Sequence, residues 1–261
     1  MHPDWPIILS LIGLMFLVGM VIGFIGAGGA GIVVALLTTA YGLPIHVAIG
    51  TALGTMCLTT VSGAVSQVRE GNVAPRIGAV VGISGALGAI LGAHFSQDVP
   101  EAQLQVLAGI GLWVLAALVW LRSRMEIGGR IVEEQWHGEP SWSSRNLTEG
   151  VGIGVTGGAA AAFLGVGMAP FIQLGYLARF HLPLRQTVGT TMLTLFLISL
   201  TGAIALATAD DVSYPHLVGA TIGLASGAYI GAKFTRRAPR QLLRAAIVTV
   251  PIIAGAMLLF L

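Results

Sequence analysis

The chain carries two copies of one segment. Residues 18–100 align with residues 157–239 at a constant offset of 139 without a gap, and 22 of the 83 aligned pairs are identical. The coinciding residues include Pro44 with Pro183. Repetition on this scale means that one structural unit is built twice and that the two copies bury their apolar faces together.

Equivalent loops of the two copies carry opposite charge. The loop at 66–77 holds two arginines and its equivalent at 205–216 holds two aspartates: Arg69 and Arg76 against Asp210 and Asp211. The loop at 94–101 is acidic and its equivalent is basic: Asp98 and Glu101 against Lys233, Arg236, Arg237 and Arg240. Because cytoplasmic loops collect Lys and Arg, equivalent loops are expected on opposite sides of a membrane. This inversion is typical of transporters whose site lies near mid-membrane between the repeats.

The composition predicts a lipid environment. Of the 261 residues, 55% are hydrophobic and 9% are charged, whereas a soluble domain has about 25% charged residues. We therefore expect an all-α polytopic protein of the cell membrane, with the lipid bilayer as its surroundings. The net charge of +2 is small and the basic residues stand at segment ends, so nucleic acid is not an expected partner. The single cysteine, Cys57, excludes an intrachain disulfide, and no cofactor is expected.

Apolar runs and one polar stretch predict the division of the chain. The runs cover 6–40, 47–67, 75–95, 102–121, 147–178, 187–209, 214–232 and 241–261. Each is long enough to cross about 30 Å of hydrocarbon as a helix. The polar stretch at 122–146 separates a first membrane repeat at 1–121 from a second at 147–261, and it is predicted to be a cytoplasmic connecting loop.

Two of the runs are too long for one crossing. The runs at 6–40 and 147–178 contain Gly-rich breaks at 23–31 and 162–170, the second of which ends with Pro170. Pro suits the first turn of a new helix, so each break predicts a broken-helix hairpin. Each repeat is then a hairpin followed by about three transmembrane helices, which gives six full crossings and two hairpins with both termini outside. In the alternative of eight plain crossings, six of the Lys and Arg residues lie on one face of the membrane and seven on the other, so no charge bias is left.

The order of short motifs resembles that of a known family. The motif G-F-I-G-A-G-G-A-G at 23–31 is followed by Leu43-Pro44 and Ala48-Ile49-Gly50-Thr51, and the pattern returns as F-L-G-V-G-M-A-P at 163–170, Leu182-Pro183 and Val188-Gly189-Thr190-Thr191. Over about residues 15–260 this resembles the TauE/SafE sulfite exporter family. The resemblance implies export or uptake of a small sulfur-containing anion: sulfite, a sulfonate such as sulfoacetate, or thiosulfate. Thiosulfate-importing relatives place cysteines on the conduction path, and only Cys57 is present here, so the resemblance favours sulfite or a sulfonate.

The two Gly-rich breaks are the first candidate for the anion site. The first N–H groups of a half-helix lack internal partners and lie at its partly positive end, and Gly lets a ligand approach the backbone. The residues predicted to contact the anion are Gly26, Gly28 and Gly29 in the first break and Gly165 and Gly167 in the second. The alternative is that these glycines only allow close helix packing.

Paired threonines are the second candidate. The matching residues of the two copies are Gly50, Thr51 and Thr55, and Gly189, Thr190 and Thr194. Each copy places two hydroxyls one turn apart on one helix face, where they can donate to sulfonate oxygens. Alternatively, each Thr bonds the carbonyl four residues before it. Gln173 is a lone amide on an apolar segment, and it is either a substrate donor or an interhelical hydrogen-bond partner.

Two alternative functions make different demands on the sequence. A metal-cation transporter predicts clustered carboxylates, His or Met at mid-membrane, and the apolar runs lack such a cluster. The segment Gly82-Ile83-Ser84-Gly85 matches the G-x-S-G of an intramembrane serine protease, but Ser84 aligns with Gly223 in the second copy, so no enzyme is expected. The sequence does not fix the identity of the anion, the direction of transport or a coupling ion, and it is compatible with a homo-oligomer.

Overall fold

Ten α-helices make up the described part of the chain. The structure, a computed structural model, describes residues 5–25, 29–127, 143–235 and 240–260. The helices of the first half are α1 (Trp5–Ile25), α2 (Ala30–Thr39), α3 (Ile45–Arg69), α4 (Pro75–Gln97) and α5 (Glu101–Ile127). Those of the second half are α6 (Ser144–Leu164), α7 (Ala169–Arg179), α8 (Leu184–Ala207), α9 (Tyr214–Thr235) and α10 (Arg240–Phe260). Each helix of the second half begins 139 residues after its equivalent in the first, for example 184 − 45 = 139.

The helices have the length and composition of membrane spans. In the described residues, five are long and apolar enough to cross a bilayer: α3, α4, the 101–121 part of α5, α6 and the 185–207 part of α8. The 25 residues of α3 extend over roughly 37 Å at 1.5 Å per residue. Large apolar side chains such as Ile83 and Leu87 point outward, as a lipid-facing surface requires. The all-α, multi-pass membrane fold predicted from composition is confirmed.

The second long apolar run forms a hairpin. Helix α7 turns back along α6, because Gly157 of α6 lies beside Ile172 of α7, with 3.2 Å between an added Cβ and the isoleucine Cγ1. At the open end of the hairpin, Arg179 at the end of α7 pairs with Glu149 near the start of α6. The start of α6 and the end of α7 therefore lie on the same side of the bundle, as the hairpin prediction requires.

Helices α3 and α8 cross at the centre and run antiparallel. Gly63 of α3 faces Met192 of α8, with 3.3 Å between an added Cβ and the methionine sulfur. The equivalent Gly202 of α8 faces the equivalent Leu53 of α3 at 3.1 Å. Both contacts bring the end of one helix to the beginning of the other. The two contacts join equivalent residues with the helices exchanged, as an inverted repeat predicts.

The remaining helix pairs also combine the two halves. Helix α1 packs against α9, its equivalent α6 packs against α4, and α5 packs against α10. One apolar core runs through both halves. The repeats are thus intertwined around α3 and α8. Helices α5 and α6 extend into the polar stretch predicted as the connecting loop, whose residues 128–142 lie outside the described part of the chain.

Candidate functional site

The second Gly-rich break lies between α6 and α7. Helix α6 ends at Leu164, and Gly165 follows with φ 65°, a left-handed conformation in which a Cβ would be strained. Residues 165–168 are buried and non-helical, and Pro170 stands in the first turn of α7. The first hydrogen bond of α7 runs from Ile172 N to Met168 O at 3.1 Å, so the N–H groups before Ile172 precede the helical ladder.

The first break ends where α2 begins. Gly26 and Gly28 lie outside the described residues. Gly29 is the N-terminal cap of α2, and its carbonyl accepts hydrogen bonds from Ile32 N at 3.1 Å and Val33 N at 3.2 Å. The N–H groups of Ala30 and Gly31 therefore stand at the start of α2, as those of Ala169 and Phe171 stand at the start of α7, where Pro170 has no N–H.

The two breaks meet in the core of the bundle. A Cβ added to Gly167 would lie 3.6 Å from the Cβ of Ala30, the first residue of α2. A Cβ added to Gly31 would lie 3.5 Å from a methyl group of Val166. Segments separated by more than 130 residues in the chain are thus in contact, and the starts of two half-helices, α2 and α7, lie next to each other.

The caps and first turns of α2 and α7 carry no acidic side chain in the part of the chain that the structure describes. Within the same residues, the two caps have no side-chain hydrogen bond. Met56 of α3 provides the adjacent wall, with its methyl group 3.3 Å from a Cβ added to Gly167. Two partly positive helix ends in an apolar surrounding form an environment that favours an anion.

Thr51 and Thr190 cap helices of the opposite half. Thr51 Oγ1 accepts a hydrogen bond from Ser213 N, just before α9, at 3.0 Å. Thr190 Oγ1 accepts the equivalent bond from Ala74 N, just before α4, at 2.9 Å. Each threonine is fully buried and satisfies a backbone N–H that begins a helix of the other repeat. We call these two interactions the crossed caps.

Gly50 and Gly189 let the crossed caps form. A Cβ on Gly50 would overlap the carbonyl oxygen of Asp211, and a Cβ on Gly189 would overlap that of Asn72. Only the absence of a side chain allows these loops to approach α3 and α8. In this structure the two glycines therefore serve a contact between the repeats.

Thr55 and Thr194 each bond the carbonyl four residues earlier in their own helix, which is the alternative given above for the paired threonines. Thr55 Oγ1 donates to Thr51 O at 2.9 Å, and Thr194 Oγ1 donates to Thr190 O at 3.0 Å. Since Thr194 has a single hydroxyl hydrogen, the buried Tyr176 hydroxyl donates to its oxygen at 2.6 Å. This bond fastens α7 to α8 about two turns after the second break.

Gln173 and two further residues complete the surroundings of the break. Gln173 is buried on α7, one turn before Tyr176 and one turn after Ala169. Met56 and Tyr176 could not be selected from the sequence, because their equivalents, Leu195 and Leu37, are ordinary apolar residues and nothing in the pattern marks them. Only the fold places Met56 beside the break and Tyr176 against Thr194 of α8.

The carboxyl of Asp211, next to the crossed cap at Thr51, has a raised pKa. Burial raises the pKa of the Asp211 carboxyl above its ordinary value; the Asp210 and Glu101 carboxylates add to this shift and His46 opposes it. Asp211 lies in the loop between α8 and α9, outside the helices. Because the folded state favours the protonated form, the stabilisation is present at low pH and is lost as pH rises through the raised pKa.

We expect Asp211→Asn to raise the midpoint of thermal unfolding at neutral pH. The amide removes a partly desolvated charge, so the variant should lose the decline in stability that begins just above the ordinary aspartate pKa of about 4. The measurement is the unfolding midpoint of detergent-solubilised protein against pH. Asp98→Asn, at an exposed position directly after α4, is the control, and a lower midpoint for Asp211→Asn at neutral pH would contradict the assignment.

The structure also shows the surroundings of the residues that a metal-cation transporter or a serine protease would use. In the described part of the chain, no three His, Cys, Asp or Glu side chains are grouped so that they could hold a metal ion. The Ser84 hydroxyl donates to the Val80 carbonyl of its own helix at 2.7 Å, and Ser84 packs against Gly154 of α6. Ser84 thus takes part in helix packing.

Known proteins similar to this chain include several named as probable membrane transporter proteins. The family model described as "Sulfite exporter TauE/SafE" matches residues 11–258. The probable membrane transporter protein YdhB of Bacillus subtilis (strain 168) is 41% identical over 250 residues, which is 96% of this chain and 99% of that protein. The probable membrane transporter protein YjnA of the same strain is 24% identical over 252 residues, with 92% and 96% covered. No solved structure matches the chain significantly.

Proposed function

This chain belongs to the TauE/SafE sulfite exporter family, and on that premise we propose that it transports a small sulfur-containing anion by alternating access. The cargo class is sulfite or an organosulfonate such as sulfoacetate. The anion is held where the two Gly-rich breaks meet. Membrane transport is the function of the family. The cargo, the site and the mechanism are what we propose for this chain.

The observation that carries the proposal is the contact between two uncapped helix starts. The first N–H groups of α2 and α7 stand around Ala30 and Gly167 in the buried core. Two like-signed dipole ends repel each other at close range, and an anion between them relieves this repulsion. The N–H groups replace the water that a sulfite or sulfonate oxygen loses on entering the membrane.

The inverted orientation of the repeats is the second support. The loop that ends α3 carries Arg69, and the equivalent loop that ends α8 carries Asp210 and Asp211. The positive-inside rule then puts the end of α3 in the cytoplasm and the end of α8 outside. With α3 and α8 antiparallel, the two breaks stand at comparable depth between the repeats, where inverted-repeat transporters bind their cargo.

Ligand binding to the purified protein tests the proposal. Sulfite, sulfoacetate, thiosulfate and sulfate are added to the detergent-solubilised protein, and the midpoint of thermal unfolding is followed. A ligand that binds only the folded state stabilises it by about 2.7 kcal/mol at one hundred times its Kd. We expect a rise in the midpoint with sulfite or sulfoacetate and none with a nickel salt.

Flux through proteoliposomes makes the test decisive. Radiolabelled sulfite or sulfoacetate should cross the membrane faster with the protein than with empty liposomes, and the unlabelled anion should compete. A thermal response to nickel alone, together with no anion flux, would refute the cargo. The other cargo considered, a metal cation, has no supporting cluster of ligands in the described residues.

A further inference from the structure

The side chain of Met56 ends at the second Gly-rich break. Met56 lies on α3 and is buried. A Cβ added to Gly167 would lie 3.3 Å from the methyl carbon of Met56 and 3.4 Å from its sulfur. The Cβ of Ala30, at the start of α2, would lie 3.6 Å from the same added atom. This side of Gly167 is therefore filled, and a sulfite or sulfonate group has no room there unless the thioether moves.

Met56 is a more flexible wall of this break than its neighbours. A Cβ added to Gly165 would meet Ile49 at 2.6 Å and Val34 at 2.9 Å. Both of these side chains are β-branched, which restricts rotation about χ1. Methionine is unbranched and has three rotatable bonds, so it adapts its shape at small cost. Compared with Ile49 and Val34, Met56 therefore withdraws from the break more easily and without a shift of the backbone.

Two hydroxyls of α3 hold the backbone of Met56 in place. The Met56 carbonyl oxygen accepts hydrogen bonds from Thr60 Oγ1 at 2.7 Å and from Thr59 Oγ1 at 3.0 Å. The start of α3 is also fastened to the segment before α9 by the crossed cap at Thr51. Because the backbone of α3 is held in this way, movement at Met56 is left to its side chain.

The place where the breaks meet has a polar part and an apolar part. The N–H groups of Ala30 and Gly31 stand at the start of α2. Met56 adds a thioether beside Gly167, and Val166 adds a methyl group beside Gly31. Sulfite has oxygens and no carbon, so an apolar wall leaves some of its oxygens without a donor, which is costly in a buried site. An organosulfonate has oxygens at one end and carbon at the other, which matches the two parts.

We propose that Met56 closes the anion site and determines the length of the anion that the site accepts. This inference rests on the proposed function and narrows its cargo to an organosulfonate with a short carbon chain. When the thioether withdraws from Gly167, a space of its own size opens beside the start of α2. The sulfonate oxygens accept hydrogen bonds from the N–H groups there, and the carbon chain lies against the thioether.

The rate of thiol labelling at position 30 tests whether Met56 closes the site. Ala30→Cys is made in a Cys57→Ala background, with Met56 either kept or changed to Ala. The detergent-solubilised protein is treated with a methanethiosulfonate reagent that carries a sulfonate group, and mass spectrometry of the intact protein follows the reaction. We expect the thiol to react several-fold faster in the Met56→Ala protein, because the thioether no longer blocks the approach to the start of α2.

Two control variants separate the removal of this thioether from a general loss of packing. Met192 of α8 packs its sulfur 3.3 Å from a Cβ added to Gly63, about two turns along α3 from Met56. Met192→Ala therefore removes the same group away from the break and should not speed the labelling. Met56→Leu keeps the side-chain volume and introduces the residue of the equivalent position, Leu195, so it should label no faster than the unchanged protein.

The unfolding midpoint of every variant is measured alongside the labelling. If Met56→Ala cannot be purified in a folded form, Met56→Val removes less of the side chain and gives the same comparison with Met56→Leu. Equal labelling rates for Met56→Ala and Met192→Ala would overturn the role of Met56.

Binding of alkanesulfonates of different length tests the selectivity. The Kd values of methanesulfonate and propanesulfonate are obtained from the rise of the unfolding midpoint with concentration. Met56→Ala should raise the preference for propanesulfonate by about tenfold or more, since one methylene in an apolar pocket changes affinity by about 10–200-fold. Met192→Ala should leave the preference unchanged. An unchanged preference in Met56→Ala would also overturn the proposal, and no binding of either anion would refute the organosulfonate.

Failure of the proposed anion site would be recognised separately. A methanethiosulfonate reagent with a trimethylammonium group in place of the sulfonate should label Ala30→Cys more slowly than the anionic reagent, because the N–H groups at the start of α2 favour negative charge. Equal rates for the two reagents would refute the anion site, whereas the dependence of labelling on Met56 is measured with one reagent and does not require that preference.

Discussion

Gly167→Leu is expected to lower anion transport by about ten- to a hundredfold while the protein stays folded. Hydrogen bonds to a charged group contribute about 1.5–3 kcal/mol, and each 1.4 kcal/mol changes the binding constant tenfold. A leucine side chain would press into the contact that Gly167 makes with Ala30 and Met56, where the anion is proposed to bind. The flexible end of Met56 can give way, so the fold should survive. Flux and the unfolding midpoint are measured together.

Gly152→Leu is the matched control for this variant. Gly152 lies on α6 with nothing within 4 Å of an added Cβ, and Leu is a better helix former than Gly. Its flux should equal that of the unchanged protein. Gly165 is unsuitable as a control, because its φ of 65° and the nearby Ile49 would make any side chain disturb the fold itself. Unchanged flux in Gly167→Leu would remove the break from the anion site.

Gly189→Ala and Gly50→Ala are expected to have the largest effects on stability. In each, the new methyl group overlaps a backbone carbonyl oxygen of the opposite repeat, which cannot move without displacing a loop. Overpacking of this kind costs about 1–3 kcal/mol and occasionally more. The midpoint of thermal unfolding and the monodisperse yield in detergent should both fall. Gly152→Ala, on an open helix face, should leave both unchanged.

Thr190→Val extends the same prediction to the hydrogen bond of the crossed cap. Valine keeps the shape of threonine but leaves Ala74 N without its acceptor, and an unsatisfied buried N–H costs about 1–3 kcal/mol. Thr190→Ser keeps the hydroxyl and should recover most of the lost stability. If Gly189→Ala and Thr190→Val both unfolded at the temperature of the unchanged protein, the contact between the repeats would not be a source of stability.

Much of the fold could be predicted from local features of the sequence. Apolar runs of spanning length and the 139-residue offset anticipated the helices, since a helix in lipid must satisfy its backbone internally wherever its side chains are apolar. The break at 165–168 could also be predicted from the sequence, because Gly165 suits the end of one helix and Pro170 suits the first turn of the next. The family membership predicted from the order of these motifs is confirmed.

The surroundings of the candidate site could be predicted only in part. The sequence indicated helix breaks at Gly29, Gly165 and Gly167. It did not indicate that Ala30 would lie against Gly167 or that Met56 would lie beside them. Contacts of this kind depend on how α3, α6 and α7 cross, which is set by the summed packing of many side chains. The anion-binding role of these glycines stays a prediction until it is tested.

The sequence by itself determined that this protein is a repeated bundle of membrane helices, because hydrophobicity, glycine and proline act on the residues next to them. The tertiary structure alone decided what Thr51 and Thr190 do. A threonine in a helix can bond its own backbone or a distant one. Thr51 and Thr190 accept bonds from Ser213 N and Ala74 N because the fold brings these groups within hydrogen-bond distance.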